Sequence, residues 1–241
     1  MPQVEWKEEN RRYALCFFPL IGAVIGAVFL LWKYICGIWS IGSLADGVVS
    51  VLIPLLVTGG IHMDGFCDVS DAMASCADKE RKLEIMSDSH IGSFAVIKLC
   101  LYLLLQTAMF AEMQSFKTAA AAAIGYILSR SLSGLAAVTF KCAKKDGALQ
   151  SFAKPAHKKI TVAVLIMTAA VSAAAMLFIN IISGGLALLA AVLIFAYYRN
   201  WSYKNFGGIT GDTEGWFLQI CELGMLIFAV VGEKIIGVAA L

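Results

Sequence analysis

Charged residues are scarce in this chain, and their scarcity limits the classes of protein to which it can belong. Only 15% of its 241 residues are Asp, Glu, Lys or Arg, whereas 60% are hydrophobic, and the mean hydropathy is +0.80. Soluble domains carry about 25% charged residues, and disordered chains lack the apolar residues found here. The composition therefore excludes an ordinary soluble domain and a disordered chain, and it indicates a membrane protein.

The cysteines lack the spacing of a disulfide or zinc framework. The chain has seven, an odd number, and none forms a CxxC pair. Scattered cysteines in an apolar chain are typical of small buried side chains. The first fourteen residues are also too polar and too acidic for a cleaved signal peptide. We expect them to lead from the cytoplasm into a first anchor helix.

Long apolar runs are abundant, and they predict the fold class. A membrane-spanning helix needs about 20 mainly apolar residues. Five runs meet this length comfortably, whereas 184–198 is short and 216–232 contains an acid. We expect an all-α, polytopic membrane bundle with six or seven spans, forming one catalytic domain over residues 1–241. The apolar runs are 14–32, 44–61, 94–111, 118–140, 161–182, 184–198 and 216–232.

The distribution of basic residues predicts the orientation of the bundle. With a cytoplasmic N-terminus and seven spans, fourteen of the 19 Lys and Arg residues fall in inner segments and three in outer segments. Such an asymmetry follows the positive-inside rule. The long connections 62–93, 141–160 and 199–215 then share the inner side. We therefore expect an active site on the cytoplasmic face of the cytoplasmic (inner) membrane.

Four aspartates in the segment 59–78 stand without a Lys or Arg among them. Placed on a helix at 100° per residue, Asp64, Asp68, Asp71 and Asp78 share one stripe of about 80°. Carboxylate oxygens are ligands for hard divalent cations, so the first three predict a site for one or two Mg²⁺ ions. Asp78 lies further along and is expected to belong to something else. The alternative is a solvated acidic face, although helices on membrane surfaces usually carry Lys and Arg there.

A glycine-rich turn, residues 205–215, is the second cluster. Its composition resembles a phosphate-cradling turn that enters a helix N-terminus, but no Lys follows as in a Walker A sequence. Asp212 is predicted as a metal ligand and a catalytic residue, with a helix N-cap as the alternative. The residues of this turn predicted to bind substrate are Gly207, Gly208, Thr210 and Gly211.

Polar residues at or inside the predicted spans complete the set. Glu222 lies within a span, where an acid is a functional hypothesis by default, and it is predicted to be catalytic. Arg130 either pairs with Glu222 or binds substrate phosphate. His62 either contacts a phosphate or anchors a helix end. Asp88 is predicted to bind substrate, with the alternative that Asp88 or Ser89 caps the helix that follows.

Several strings in this chain resemble the cobalamin synthase (adenosylcobinamide-GDP ribazoletransferase) family, in the order seen there. The resemblance covers nearly the whole chain, although Glu214 and Trp216 stand where small or aliphatic residues are expected. The strings are GGIHMDGFCDVSDA (59–72), EIMSDSHIGSFA (84–95), SRSLSGLAA (129–137), AKKDGALQSF (143–152) and GGITGDTEG (207–215).

The resemblance implies a Mg²⁺-dependent transfer that joins adenosylcobinamide-GDP to α-ribazole or its 5′-phosphate. The products would be adenosylcobalamin or its phosphate, and GMP. It implies that Asp64, Asp68 and Asp71 hold the metal at the diphosphate, while Asp212 and Glu222 complete the coordination or act as the base. The implied partners are these small molecules and the bilayer, without nucleic acid. A homo-oligomer is left open.

Two alternatives remain at this point. A CDP-alcohol phosphotransferase also uses aspartates at a membrane edge, but its D-x-x-D-G-x-x-A-R signature is not matched, because no Arg follows Ala72. A cation-coupled transporter would suit Arg130 and Glu222. Most of the acids, however, gather in the connections rather than in mid-span.

Overall fold

The structure is a computed structural model that describes residues 11–144 and 147–239. Within these residues it contains ten α-helices and no strand. A 3₁₀ turn, Ala14–Phe17, leads directly into the first α-helix. The helices are α1 (Phe18–Trp39), α2 (Ser43–Thr58), α3 (Ile61–Ala74), α4 (Lys79–Ile85), α5 (Ser93–Glu112), α6 (Phe116–Thr139), α7 (Ala148–Ala153), α8 (Lys158–Ile179), α9 (Ile181–Phe206) and α10 (Gly211–Ala239).

The predicted multi-pass membrane fold is confirmed. Six of the described helices, α1, α5, α6, α8, α9 and α10, are long and apolar enough to cross a membrane, and α2 with α3 would make a seventh span. In α6 and α10, 67% of the most apolar stretch is buried inside the protein, against 17–33% in the other four. These two helices therefore form the centre of the bundle, and the others present apolar side chains outward.

A sharp bend separates α2 from α3. The two helices meet at 97°, and the residues between them, Gly59 and Gly60, have φ values of 63° and 78°. Glycine adopts this left-handed conformation without the steric cost that a Cβ adds. The predicted run 44–61 therefore ends early, and the aspartate-bearing segment forms a separate helix that turns across the end of the bundle, outside the six spans.

The long connections lie at one end of the bundle, as the positive-inside count predicts. The His157 backbone N–H donates to the Arg12 carbonyl (3.0 Å), and the Ile209 N–H donates to the Lys141 carbonyl (2.9 Å). The opposite end is closed differently, where Glu233 accepts hydrogen bonds from the backbone of the α5–α6 connection. We call the end with the long connections the loop end, and the acidic residues of α3 lie there.

Candidate active site

The acidic helix α3 and the first turn of α10 are in backbone contact. A Cβ added to Gly65 would lie 2.8 Å from the Cα of Asp212, and a Cβ added to Gly215 would lie 2.9 Å from the carbonyl oxygen of His62. Each helix thus contributes one glycine that lets the other approach. Because Asp64 precedes Gly65, this contact brings acids from two distant connections to the same place, as the sequence predicts.

The carboxylates at this contact repel one another. Asp68 lies on α3, one turn after Asp64. Partial burial and the charges of Asp64, Asp212 and Asp71 together raise the pKa of Asp68 to about 7, against the opposing effect of Lys144. Burial and like charges both disfavour an ionised carboxylate. A bound cation would relieve this repulsion, because it would stabilise the charged form of each acid.

Asp71 is already engaged by the backbone. Its two oxygens accept hydrogen bonds from the N–H groups of Gly92 (2.5 Å) and Ala95 (2.8 Å), at the start of α5. A Cβ at Gly92 would lie 2.6 Å from Asp71 Oδ1, so glycine is required for this approach. Asp71 therefore satisfies free N–H groups at a helix N-terminus, and each oxygen keeps a lone pair for another partner.

The other two acids of this region lie elsewhere. Asp78 is the N-cap of α4, where it accepts from the Arg81 backbone N–H at 2.9 Å, so its predicted separation from the first three aspartates is confirmed. Asp88 is exposed and accepts hydrogen bonds from His90 Nδ1 (2.7 Å) and from the His90 backbone N–H (3.0 Å). These hydrogen bonds, the side-chain one first, lower the pKa of Asp88. The prediction that Asp88 caps α5 is wrong, because Asp71 reaches those N–H groups instead.

The glycine-rich turn is built around a reciprocal cap. The Thr210 N–H donates to Thr213 Oγ1 (2.8 Å), and the Thr213 N–H donates to Thr210 Oγ1 (3.2 Å), as in a capping box. Thr210 thus does the capping, and the Asp212 carboxylate accepts a long hydrogen bond from Thr210 Oγ1 (3.4 Å) through one of its oxygens. Gly207 ends α9 with a φ of 78°. Gly208 packs closely on the backbone after Lys141.

Glu222 is not brought to the aspartates. It lies about 15 Å beyond Asp212 along α10, buried in the interior. One of its oxygens accepts from Arg130 Nη1 and from Ser129 Oγ, the latter at 2.9 Å. Of the two alternatives for Arg130, the structure shows the pairing with Glu222. Among residues 11–144 and 147–239, no three His, Cys, Asp or Glu side chains are close enough together to enclose a metal ion by themselves.

Two cavities share a wall that is formed by Ala148, Leu149, Gly211 and Asp212. The first, about 270 Å³, has mainly apolar walls that include Phe18, Leu149 and Leu218, with His62 and Asp64 also lining it. We call it the apolar cavity. The second, about 230 Å³, contains Lys144 and residues of the connection before α7. We call it the lysine cavity, and Asp212 stands between the two.

Sequence reasoning missed Glu214 as a site residue. It lines the apolar cavity, is only 5% exposed, and accepts hydrogen bonds from Ser133 Oγ and from Tyr198 OH (3.2 Å). In the sequence it appears only as an unusual residue after the Gly-Asp pair. The available signal was its place in the first turn of a membrane helix, two residues after Asp212, where a buried acid needs partners.

The comparisons with known proteins point to the family that the sequence strings resemble. The family model described as cobalamin-5-phosphate synthase matches residues 1–230. The chain is 42% identical, over 98% of its length and 90% of the relative's, to a protein of Lachnoclostridium phytofermentans named adenosylcobinamide-GDP ribazoletransferase. Proteins with the same name from Clostridium botulinum (30%, over 92% and 88%) and Pseudomonas fluorescens (32%, over 89% and 86%) are also similar. No solved structure matches the chain.

Proposed function

The chain belongs to the cobalamin-5-phosphate synthase family and is a ribazoletransferase of cobalamin assembly, and from this premise we propose the reaction that its loop end carries out. The enzyme joins adenosylcobinamide-GDP to α-ribazole or its 5′-phosphate and releases GMP. The reaction requires Mg²⁺ in the active site. The 3′-hydroxyl of the ribazole attacks the phosphorus that stays on the cobinamide. The site lies on the cytoplasmic face of the inner membrane.

The observation that carries this proposal is the meeting of α3 with the start of α10. Asp64 and Asp212 line one cavity, and the charges of both raise the pKa of Asp68. A reaction at a diphosphate creates negative charge, and enzymes of phosphoryl transfer act mainly by positioning and by neutralising that charge. Concentrated carboxylates without a metal would oppose the reaction, so the acids themselves argue for a cation.

The donor set fits Mg²⁺ in its chemistry. Mg²⁺ takes oxygen ligands, keeps several waters, and usually binds through one or two carboxylates together with substrate phosphates. The described residues contain no group of three side chains that could bind the ion alone. This agrees with the ligand preference of Mg²⁺, because the diphosphate would supply the remaining oxygens. We propose that Asp64 and Asp68 hold the ion, with Asp71 fixing α3 against α5. When bound, Mg²⁺ would stabilise the oxygen of the departing GMP.

The remaining roles follow from the two cavities. Lys144 in the lysine cavity attracts the diphosphate, and the backbone N–H groups at Gly211 offer the anion a helix N-terminus. Asp212, which borders both cavities, is the carboxylate best placed to take the proton of the attacking hydroxyl. Glu222 acts as a positioning residue, because its pairing with Arg130 joins α6 to α10 beneath the site.

The direct experiment is incubation of the detergent-purified protein with adenosylcobinamide-GDP, α-ribazole and Mg²⁺, with GMP quantified by chromatography. We expect GMP and adenosylcobalamin in equal amounts, and neither when Mg²⁺ is removed with EDTA. An Asp68→Asn variant should need more Mg²⁺ than the wild-type protein to release GMP, whereas Asp78→Asn, on the N-cap of α4, should behave as the wild type. Wild-type protein that releases no GMP under these conditions would refute the proposal.

A further inference from the structure

One wall of the apolar cavity is an imidazole that has a nitrogen without a hydrogen-bond partner. His62 forms part of its wall, and His62 Nδ1 is buried without a hydrogen bond. The ring of Phe18 stands edge-on to the imidazole, with ring centroids 6.2 Å apart. Buried polar atoms are nearly always hydrogen-bonded, so each exception requires an explanation. A ligand that brings its own hydrogen-bonding atom would provide one.

The size of the cavity limits what that ligand can be. Small-molecule pockets are typically about 300–1,000 Å³, and this one, at about 270 Å³, is slightly smaller. A corrinoid macrocycle is far too large for it. A guanine base is small enough but presents several donors and acceptors. Phe18, Leu149 and Leu218 offer it none, and the two oxygens of Glu214 already accept from Ser133 and Tyr198. A flat, mainly apolar base with one exposed nitrogen matches both the walls and the imidazole.

Building on the proposed function, we propose that the apolar cavity binds the benzimidazole base of the ribazole substrate, with the His62 imidazole hydrogen-bonded to the free ring nitrogen. The ribose attached to that base would then lie at Asp64 and Asp212, which line the same cavity. Its hydroxyl would face the lysine cavity beyond Asp212, where the diphosphate is proposed to bind. The two substrates thus meet at Asp212, which lines both cavities.

The first test changes the ligand and leaves the protein intact. Wild-type enzyme is given α-ribazole or the corresponding indole riboside, in which a C–H replaces the free nitrogen, and KM is measured from GMP release. Losing one hydrogen bond of about 1.4 kcal/mol corresponds to a tenfold change. We expect the KM of the indole riboside to be about tenfold higher. Equal KM values for the two ribosides would overturn the inference.

The second test removes the imidazole. His62→Phe keeps a ring at the cavity wall, so it should raise the KM for α-ribazole about tenfold and make the two ribosides equal. The KM for adenosylcobinamide-GDP should not change. His90→Phe is the matched control, because His90 is exposed and should alter neither constant. If His62→Phe raises both KM values alike, or if the ribosides still differ, the inference is wrong.

A third measurement keeps the inference testable if His62→Phe does not fold. Ala137 lines the apolar cavity but not the lysine cavity, so Ala137→Phe places a ring in the apolar cavity alone and should abolish α-ribazole binding in equilibrium dialysis while adenosylcobinamide-GDP still binds. Retained α-ribazole binding would place the base elsewhere. Failure of this inference is distinguishable from failure of the proposed function. Enzyme that releases GMP but treats the ribosides alike refutes only the inference, and enzyme that releases none refutes the function and leaves dialysis to decide the cavity.

Discussion

The contact between Gly65 and Asp212 provides a stringent test of how the site is built. In Gly65→Ala, the new Cβ would lie 2.8 Å from the Asp212 Cα and from its carbonyl oxygen, whereas ordinary contacts begin at 3.4 Å. The neighbours are backbone atoms, so they cannot rotate away, and α3 must move from α10 by about 0.6 Å. Misplacement by about 1 Å can cost 10²-fold in rate. We therefore expect GMP release to fall at least about tenfold.

The matched control is Gly37→Ala in α1. A Cβ there meets nothing within 4 Å, so this substitution adds the same methyl group to a helix without forcing movement. Both variants should insert and purify normally, because alanine favours a helix over glycine by about 0.5–1 kcal/mol. The rates of GMP release of the two variants are compared at saturating substrate and Mg²⁺. Wild-type rates in Gly65→Ala would refute the idea that this backbone contact positions the acids.

Three further changes test the acids by charge and by position. Because even indirect partners of a metal ligand change metal affinity by about 10–100-fold, Asp68→Asn should raise the Mg²⁺ concentration for half-maximal GMP release at least about tenfold. Asp71→Asn turns an acceptor into a donor that faces a backbone N–H, and thermal unfolding should show a loss of about 1–3 kcal/mol. Glu222→Ala leaves the buried charge of Arg130 unpaired, and the free energy of unfolding should fall by about 3–5 kcal/mol. Glu112→Ala, which removes an exposed ion pair, should leave unfolding unchanged.

For each of these variants, one result would contradict the prediction. An unaltered Mg²⁺ requirement in Asp68→Asn would mean that the Asp68 carboxylate does not bind the metal. Wild-type stability in Asp71→Asn would mean that the start of α5 does not depend on the cap from α3. If Glu222→Ala is as stable as Glu112→Ala, the buried ion pair does not hold α6 to α10.

The bundle and the acidic cluster could be predicted from the sequence because their signals are local. A span is recognisable from some 20 apolar residues in a row, and the helical spacing of Asp64 and Asp68 requires only neighbouring residues. Two adjacent glycines such as Gly59-Gly60 favour a break between helices, but the angle of 97° depends on what each helix packs against. Local sequence contains no information about that packing.

The roles of Asp71 and Glu222 show where sequence reasoning fails. Asp71 shares the stripe of Asp64 and Asp68, yet its oxygens bind N–H groups more than 20 residues away. That partnership exists only once α3 and α5 are packed together. Glu222 follows the glycine-rich turn closely in sequence, but the 1.5 Å rise of a straight helix carries it about 15 Å from Asp212. There Glu222 pairs with the buried Arg130 instead of joining the aspartates.

The location of the site suggests why a reaction of water-soluble substrates uses a membrane bundle. The acids lie on the loop end, but the walls of the apolar cavity come largely from the spans: Phe18 from α1, Ala137 from α6 and Leu218 from α10. An apolar pocket of this kind needs packed helices behind it, and in this chain the packed helices are the membrane helices. The bundle therefore both anchors the acids and builds the surface against which an apolar base can lie. Shortening α1 at its first turn should impair ribazole binding before it impairs insertion, because the remaining run up to Trp39 is still long enough to span.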